Sequence, residues 1–207
     1  MEKNIEKYVF VKEGLLDNEF CQYAIEKLNQ IDAWESHEWG YDTPSADIIK
    51  GNELYGTKNF LSGHPDEPET ISSSKENSEM KDLREFLQQK IKEVLWEYID
   101  NLKFEWYKNA HAAGDIKFLK YSLNQAMRIH CDHVHSIFDG EKKGIPVLTA
   151  IGIFNDDFEG GNLVLCEDKN INIKEGGLVM FPSIFLFPHE VKIITKGNRY
   201  SYTTWIW

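Results

Sequence analysis

The sequence predicts an α+β domain in which helices come first and a jelly roll or sandwich of short strands follows. Three observations support this. Helical periodicity of apolar residues is confined to the first half of the chain. After Gly114 the chain becomes a series of short β-prone runs, most of them separated by Gly, Asn, Asp or Pro. A length of 207 residues supplies one sizeable core rather than two comfortable ones. The organisation expected is thus a single domain over 1–207, with a helical and irregular part at 1–114 and a jelly-roll core at 115–207.

The elements follow in order. Tyr8 to Val11 is β-prone. Asp17 is a suitable N-cap, and Phe20, Ala24, Ile25, Leu28 and Ile31 recur at helical spacing behind it, which predicts a first amphipathic helix to about Ile31. Residues 34–77 hold Gly, Pro, Ser, Asn and Asp clusters around Trp34, Trp39, Tyr41, Tyr55 and Phe60. This reads as an irregular segment with one or two short strands, and as a candidate lid or a surface insertion. Leu83, Phe86, Leu87, Ile91, Val94, Leu95, Tyr98, Ile99 and Leu102 form one stripe of a second helix, from about Ser78 to Trp106. Strands are expected at Phe118–Tyr121, Ala126–His130, Val147–Phe154, Leu163–Cys166, Ile171–Ile173, Leu178–Phe181, Val191–Ile194 and Tyr200–Trp207.

Composition narrows the function classes. Hydrophobic residues are 42% and aromatics 13%, a globular balance. The formal net charge of −11, with Lys142-Lys143 as the longest basic run, opposes binding to a polyanion and disfavours nucleic acid as a partner. Three cysteines, at 21, 131 and 166, make an odd count with no C-x-x-C pair, which fits a reducing compartment better than a disulfide framework. No apolar stretch is long enough to span a bilayer, and the first residues lack the apolar core of a signal peptide. A cytoplasmic protein without a membrane partner is the expectation.

One constellation carries chemistry. His130 and Asp132 stand two apart, His189 follows 57 positions after Asp132, and Arg199 lies ten further on. Side chains two apart on a strand share a face, so His130 and Asp132 are expected to point together, with Met127 and Ile129 opposite and no backbone distortion. Two histidines and a carboxylate leave three positions open on a non-haem Fe(II) ion. Arg199 opens a terminal run that otherwise reads as a buried strand, so its guanidinium needs an anion, and its planar fork suits a carboxylate. Ser201 shares its face. Tyr121 is a further candidate, on a strand expected to neighbour the metal strand, with a core tyrosine as the alternative. His133 and His135 could instead ligate as a pair in a zinc-binding or polar loop, but that leaves His189 and Arg199 unexplained. His37, His64 and His111 read as ordinary polar residues.

These residues resemble the Fe(II)/2-oxoglutarate-dependent dioxygenases, especially the prolyl-4-hydroxylase-like branch and its compact microbial and viral members. The resemblance spans Phe118 to Trp207. It rests on Tyr121 nine before His130, His130-x-Asp132, Phe158-Glu159-Gly160-Gly161-Asn162-Leu163, Gly177 to Pro182, His189-Glu190-Val191, Gly197-Asn198-Arg199-Tyr200-Ser201, and Trp205 six after the arginine. It implies a double-stranded β-helix, a cupin-like jelly roll with N-terminal helices packed on one sheet. It implies His130, Asp132 and His189 as iron ligands, and Arg199 with Tyr121 as the anchor of the distal carboxylate of 2-oxoglutarate. Ser201 and Trp205 are further cosubstrate-site candidates. The cofactors implied are Fe(II), 2-oxoglutarate and O2, with ascorbate as a candidate reductant.

The reaction implied is hydroxylation of a C–H bond, with 2-oxoglutarate converted to succinate and carbon dioxide. The expected substrate is a prolyl residue in a peptide or protein. A free amino acid or other small molecule is the alternative, and a non-catalytic cupin-like metal-binding protein a third reading. Two positions depart from the collagen-type pattern: Pro146 stands where an arginine is usual, and Leu163 follows the Gly-Gly turn where a threonine is usual. Alternation places Ile151, Ile153, Leu163, Val179 and Trp205 on a water-excluding flank.

Overall fold

The structure is a computed structural model that describes residues 5–31, 34–36, 68–71, 80–103, 113–132 and 145–207. Trp39, Tyr41, Tyr55, Phe60, His37, His64, His111, His133 and His135, and with them most of the expected lid, lie outside the described residues.

The first helix, α1 (Asn18–Gln30), begins where the sequence places it: the Asp17 carboxylate accepts a hydrogen bond from the Phe20 amide at 2.7 Å. The second, α2 (Lys81–Leu102), ends at Lys103, which adopts the left-handed conformation with its amide bonded to the Asp100 carbonyl. No helix among the described residues is long and apolar enough to cross a membrane.

Thirteen strands make up the rest of the described fold: β1 (Phe10–Lys12), β2 (Glu35–Ser36), β3 (Glu69–Ile71), β4 (Lys117–Tyr121), β5 (Met127–His130), β6 (Leu148–Ile153), β7 (Glu159–Gly160), β8 (Leu163–Leu165), β9 (Lys169–Ile171), β10 (Leu178–Pro182), β11 (His189–Val191), β12 (Ile194–Lys196) and β13 (Arg199–Ile206). They form a major sheet ordered β1-β10-β6-β13-β4-β3-β2, a minor sheet ordered β5-β11-β8-β9, and a β12-β7 pair. All the pairings are antiparallel. The predicted α+β class and double-stranded β-helix are what the chain adopts.

Three local expectations shift. The β-prone run at Tyr8 divides into a 3-10 turn over Ile5–Tyr8, closed by the Val9 amide on the Glu6 carbonyl, and a strand that starts at Phe10. The strand near Ile171 sits two residues earlier, because Leu163 to Leu165 pair with Lys169 to Ile171. The run Val191–Ile194 is broken: His189–Val191 joins the minor sheet, whereas Ile194–Lys196 turns away to pair with β7, leaving Ile193 exposed. Local β-propensity cannot report such a change of partner, which depends on what lies alongside.

The major sheet is buried on both faces. One core cluster joins Ala24 and Leu28 of α1 and Leu87, Ile91 and Val94 of α2 to Phe118, Leu148, Met180, Tyr202 and Ile206. The helices therefore cover the outer face of this sheet, as the amphipathic stripes require. A second cluster lies between the sheets and includes Leu119, Tyr121, Ile151, Ile153, Leu163, Val179, Phe181 and Val191. Along β13 the alternation is plain: Tyr200, Tyr202 and Ile206 join the helix-side cluster, leaving Arg199, Ser201, Thr203 and Trp205 on the face toward the minor sheet. Of the expected dry flank, Ile151, Ile153, Leu163 and Val179 fall in the inter-sheet cluster, and Trp205, half-buried, falls outside it.

Gly152 of β6 pairs with Tyr202, whose ring lies where a Cβ on residue 152 would stand. Because Tyr202 is fully buried, the ring cannot give way freely. Gly152→Ala is expected to destabilise the fold by about 1–3 kcal/mol, read as a lowered midpoint in urea unfolding at unchanged slope.

Candidate metal centre and anion anchor

The minor sheet brings the two histidines together. His189 of β11 pairs directly with His130 of β5, and their rings lie 4.3 Å apart between centroids. The register then slips: Val191 pairs with Met127, so two steps along β11 oppose three along β5. The extra residue is a bulge in β5, and it corrects the undistorted alternation expected from sequence. Met127 and His130 both turn inward, Met127 into the inter-sheet cluster, while Ile129 is left exposed. Strand β5 ends at His130, and Asp132 follows in a turn. The backbone distortion thus aims the site, a common use of bulges.

The three side chains converge. Each of His130, Asp132 and His189 offers a ligand atom within 4.8 Å of the others. His130 Nε2 lies 3.4 Å from Asp132 Oδ1, and His189 Nε2 lies 3.5 Å from Asp132 Oδ2. Ligand atoms about 2 Å from a common ion and roughly at right angles would be about 3 Å apart, so the set fits one metal ion with little movement. The opposite ring nitrogens are already engaged: Nδ1 of His130 is 2.7 Å from the Arg128 carbonyl, and Nδ1 of His189 is 3.3 Å from the Phe187 carbonyl. A carbonyl only accepts, so Nδ1 carries the proton and Nε2 presents its lone pair.

The electrostatics favour the ligating forms. Burial alone would raise the Asp132 carboxyl, but His189, His130 and a hydroxyl from Thr149 outweigh it and hold the group well below the usual carboxylate range. Burial pushes the His189 imidazole down to about 4, although the Asp132 charge pulls the other way. At neutral pH the structure holds a carboxylate beside a neutral imidazole.

Two residues of this centre escaped the sequence analysis. Thr149 of β6 donates from Oγ1 to Asp132 Oδ2 at 2.6 Å, and the Ser183 hydroxyl lies 2.8 Å from Thr149 Oγ1. Since the Thr149 proton points to the carboxylate, Ser183 donates in turn to Thr149. All three side chains are buried. A single threonine within the apolar run Leu148 to Ile153 was the only trace in the sequence.

Arg199 is 2% exposed and stands at the start of β13, opposite Tyr121 of β4. Its guanidinium carbon lies 5.1 Å from the centre of the Tyr121 ring, and Nη1 donates to Ser201 Oγ at 2.8 Å. No carboxylate pairs with it among the described residues. Burial lowers its pKa, and Tyr121 opposes that shift. A buried cation without a counter-charge is costly, and the inter-sheet space beside it suits an anion. Tyr121 therefore belongs beside Arg199, but its strand pairs with β13 and β3, not with the metal strand β5 as expected. Trp205 pairs with Thr149, which places it at the metal end of β13. Cys131, between two of the converging residues, is a free thiol that contacts the Phe185 carbonyl at 3.7 Å; Cys21 and Cys166 are free too.

Residues 116–207 match the 2OG-Fe(II) oxygenase superfamily. That match covers the jelly-roll part of the chain, and it agrees with the converging donor set of His130, Asp132 and His189. Solved structures of similar fold include prolyl hydroxylases. A viral collagen prolyl hydroxylase from Paramecium bursaria Chlorella virus-1 aligns with a TM-score of 0.58 at 16% identity, over 96% of this chain and 94% of that one. A prolyl hydroxylase from Trichoplax adhaerens, in complex with a hypoxia-inducible-factor peptide fragment, aligns at 0.66 and 14% identity, over 97% and 84%. A prolyl-4-hydroxylase from Pseudomonas putida aligns at 0.58 and 16%, over 96% and 91%. At these identities the likeness is one of fold. Comparison with curated proteins gives no match.

Removing a hydrogen bond to a ligating carboxylate typically costs 10- to 100-fold in metal affinity. Thr149→Val is expected to weaken Fe(II) binding to the metal-free protein by about that factor, while Thr149→Ser, which keeps the hydroxyl, stays near the original value. Metal titration followed by calorimetry checks both.

Proposed function

We propose that this protein hydroxylates a prolyl residue in a peptide or protein, consuming 2-oxoglutarate and O2 and releasing succinate and carbon dioxide. The observation that carries the reading is Arg199, a buried guanidinium with no carboxylate partner among the described residues, on the inner face of the same barrel that holds the metal-binding set. A purely structural metal site has no need of such a cation, which weighs against a non-catalytic cupin-like protein.

In this reading His130 Nε2, Asp132 and His189 Nε2 would hold Fe(II). Iron held this way supplies the oxygen activation that hydroxylation of an unreactive C–H bond demands. The chain supplies placement. Arg199 holds the distal carboxylate through charge-assisted hydrogen bonds, Ser201 fixes the guanidinium, and Tyr121 stacks against it. Ile151, Ile153, Leu163 and Val179 exclude water, and Trp205 closes the metal end. Ascorbate as an accessory reductant belongs to the same proposal, as does a single domain spanning 1–207.

A polypeptide substrate is favoured by the rim. The turn between β10 and β11 exposes Ile184, Phe185 and Leu186, with Phe185 68% exposed. The same turn carries the Phe187 carbonyl bonded to His189. Apolar side chains at the edge of a metal site offer a long substrate something to pack on. The likeness in fold to prolyl hydroxylases, one of them with a peptide bound, points the same way. A free amino acid could reach the metal without touching this rim.

The test is succinate formation from 2-oxoglutarate with Fe(II), with and without proline-containing peptides, and mass spectrometry of the peptides for a gain of one oxygen. Peptide-stimulated turnover with oxygen gain is expected; stimulation by free amino acids alone would move the substrate to the small-molecule class. Arg199→Ala is expected to raise the KM for 2-oxoglutarate by about 100-fold, equivalent to about 2.7 kcal/mol. An unchanged KM would remove the anchor assignment. Asp132→Ala is expected to abolish Fe(II) binding.

A further inference from the structure

Arg199 also borders a cleft that has no contact with the metal centre. The cleft holds about 260 Å³ and its lining includes Arg199, Ile153, Leu163, Ile171, Asn162, Asn170 and Lys174, but not His130, Asp132, His189, Thr149 or Trp205. Register fixes where it opens. On β8, Leu165 pairs with His189 and marks the metal end, whereas Leu163 pairs with Val191 and marks the other. On β13, Trp205 pairs with Thr149, which bonds Asp132, whereas Ser201 pairs with Ile153 and Arg199 lies beyond. Six strand steps, roughly 20 Å, separate Trp205 from Arg199. The cleft is thus at the barrel end opposite the metal.

Its chemistry is graded from rim to floor. The Asn162 and Asn170 side chains meet at 3.5 Å, and both residues are exposed. Lys174 and Asp156 approach to 3.8 Å at another part of the lining. Deeper, Ile153, Leu163 and Ile171 are buried apolar walls, and the floor includes a buried guanidinium. Amides at the rim, a dry shaft and a cation below form a path for a small carboxylate, with the Lys174 ammonium offset by Asp156. The guanidinium donates to Ser201, stacks on Tyr121 and forms part of the cleft lining.

We propose that this cleft is the port through which a small dicarboxylate, 2-oxoglutarate inward and succinate outward, reaches and leaves Arg199. The proposal rests on the dioxygenase reading above. It leaves the apolar rim at Phe185 free for the polypeptide, so cosubstrate and substrate need not share an entrance.

The experiment is anaerobic stopped-flow mixing of the Fe(II)-loaded protein with 2-oxoglutarate, followed by the absorption change on chelation. Asn162→Trp and Asn170→Trp each place a bulky ring at the rim, on an exposed position away from Arg199 and the metal set. The expected result is a fall of about tenfold in both association and dissociation rates, with Kd within about twofold of the original, because a port changes rates and not the equilibrium. Unchanged rates in a folded variant of either kind would overturn the port. Absence of 2-oxoglutarate binding by the unsubstituted protein would overturn the dioxygenase reading, and the port with it.

Discussion

The burial of Asp132 constrains everything around it. A carboxylate removed from water is tolerable only if its oxygens are met by donors or positive charge. Here Thr149 donates to one oxygen, while two imidazole nitrogens stand 3.4 and 3.5 Å away. Because Nδ1 of each ring faces a backbone carbonyl, the nitrogens facing the carboxylate are lone pairs, not donors, in the neutral rings. Three electron-rich groups pressed together in a dry space make sense as a cation site. The Asp132 carboxyl, held low, stays ionised at neutral pH.

This arrangement needs two sheets. Asp132 and His130 come from the end of β5 and His189 from β11, both in the minor sheet, while Thr149 and Ser183 reach across from the major sheet. The major sheet can offer its inner face to this task because its outer face is sealed by α1 and α2. Its interior strand β6 is buried along its whole length, which a sheet covered on both sides permits. The helices therefore support the site without touching it.

Strand β13 links the two ends of the barrel. Its inward residues run from Arg199 through Ser201 and Thr203 to Trp205, while the alternate residues anchor the strand in the helix-side core. A buried cation at one end and the converging donor set near the other are thus spaced by a rigid element. Gly152, pressed against Tyr202 on the opposite face, shows how tightly that strand is seated.

The sequence by itself singled out the residues that converge. Residue types and their order identified His130, Asp132, His189 and Arg199, because a ligand set is a matter of which donors are present and these side chains have few other uses in buried runs. It also determined the two helices, since Asp17 and the apolar stripes are local signals. Tertiary structure decided how those groups meet. The bulge that turns His130 inward, the move of Tyr121 to the side of Arg199, and the division of Val191–Ile194 between two partners all follow from strand pairing. Thr149 and Ser183 meet Asp132 only because β6 and the turn after β10 pack against it. Pairing partners and cross-sheet hydrogen bonds depend on residues far apart in the chain, and the pattern within one strand carries no record of them.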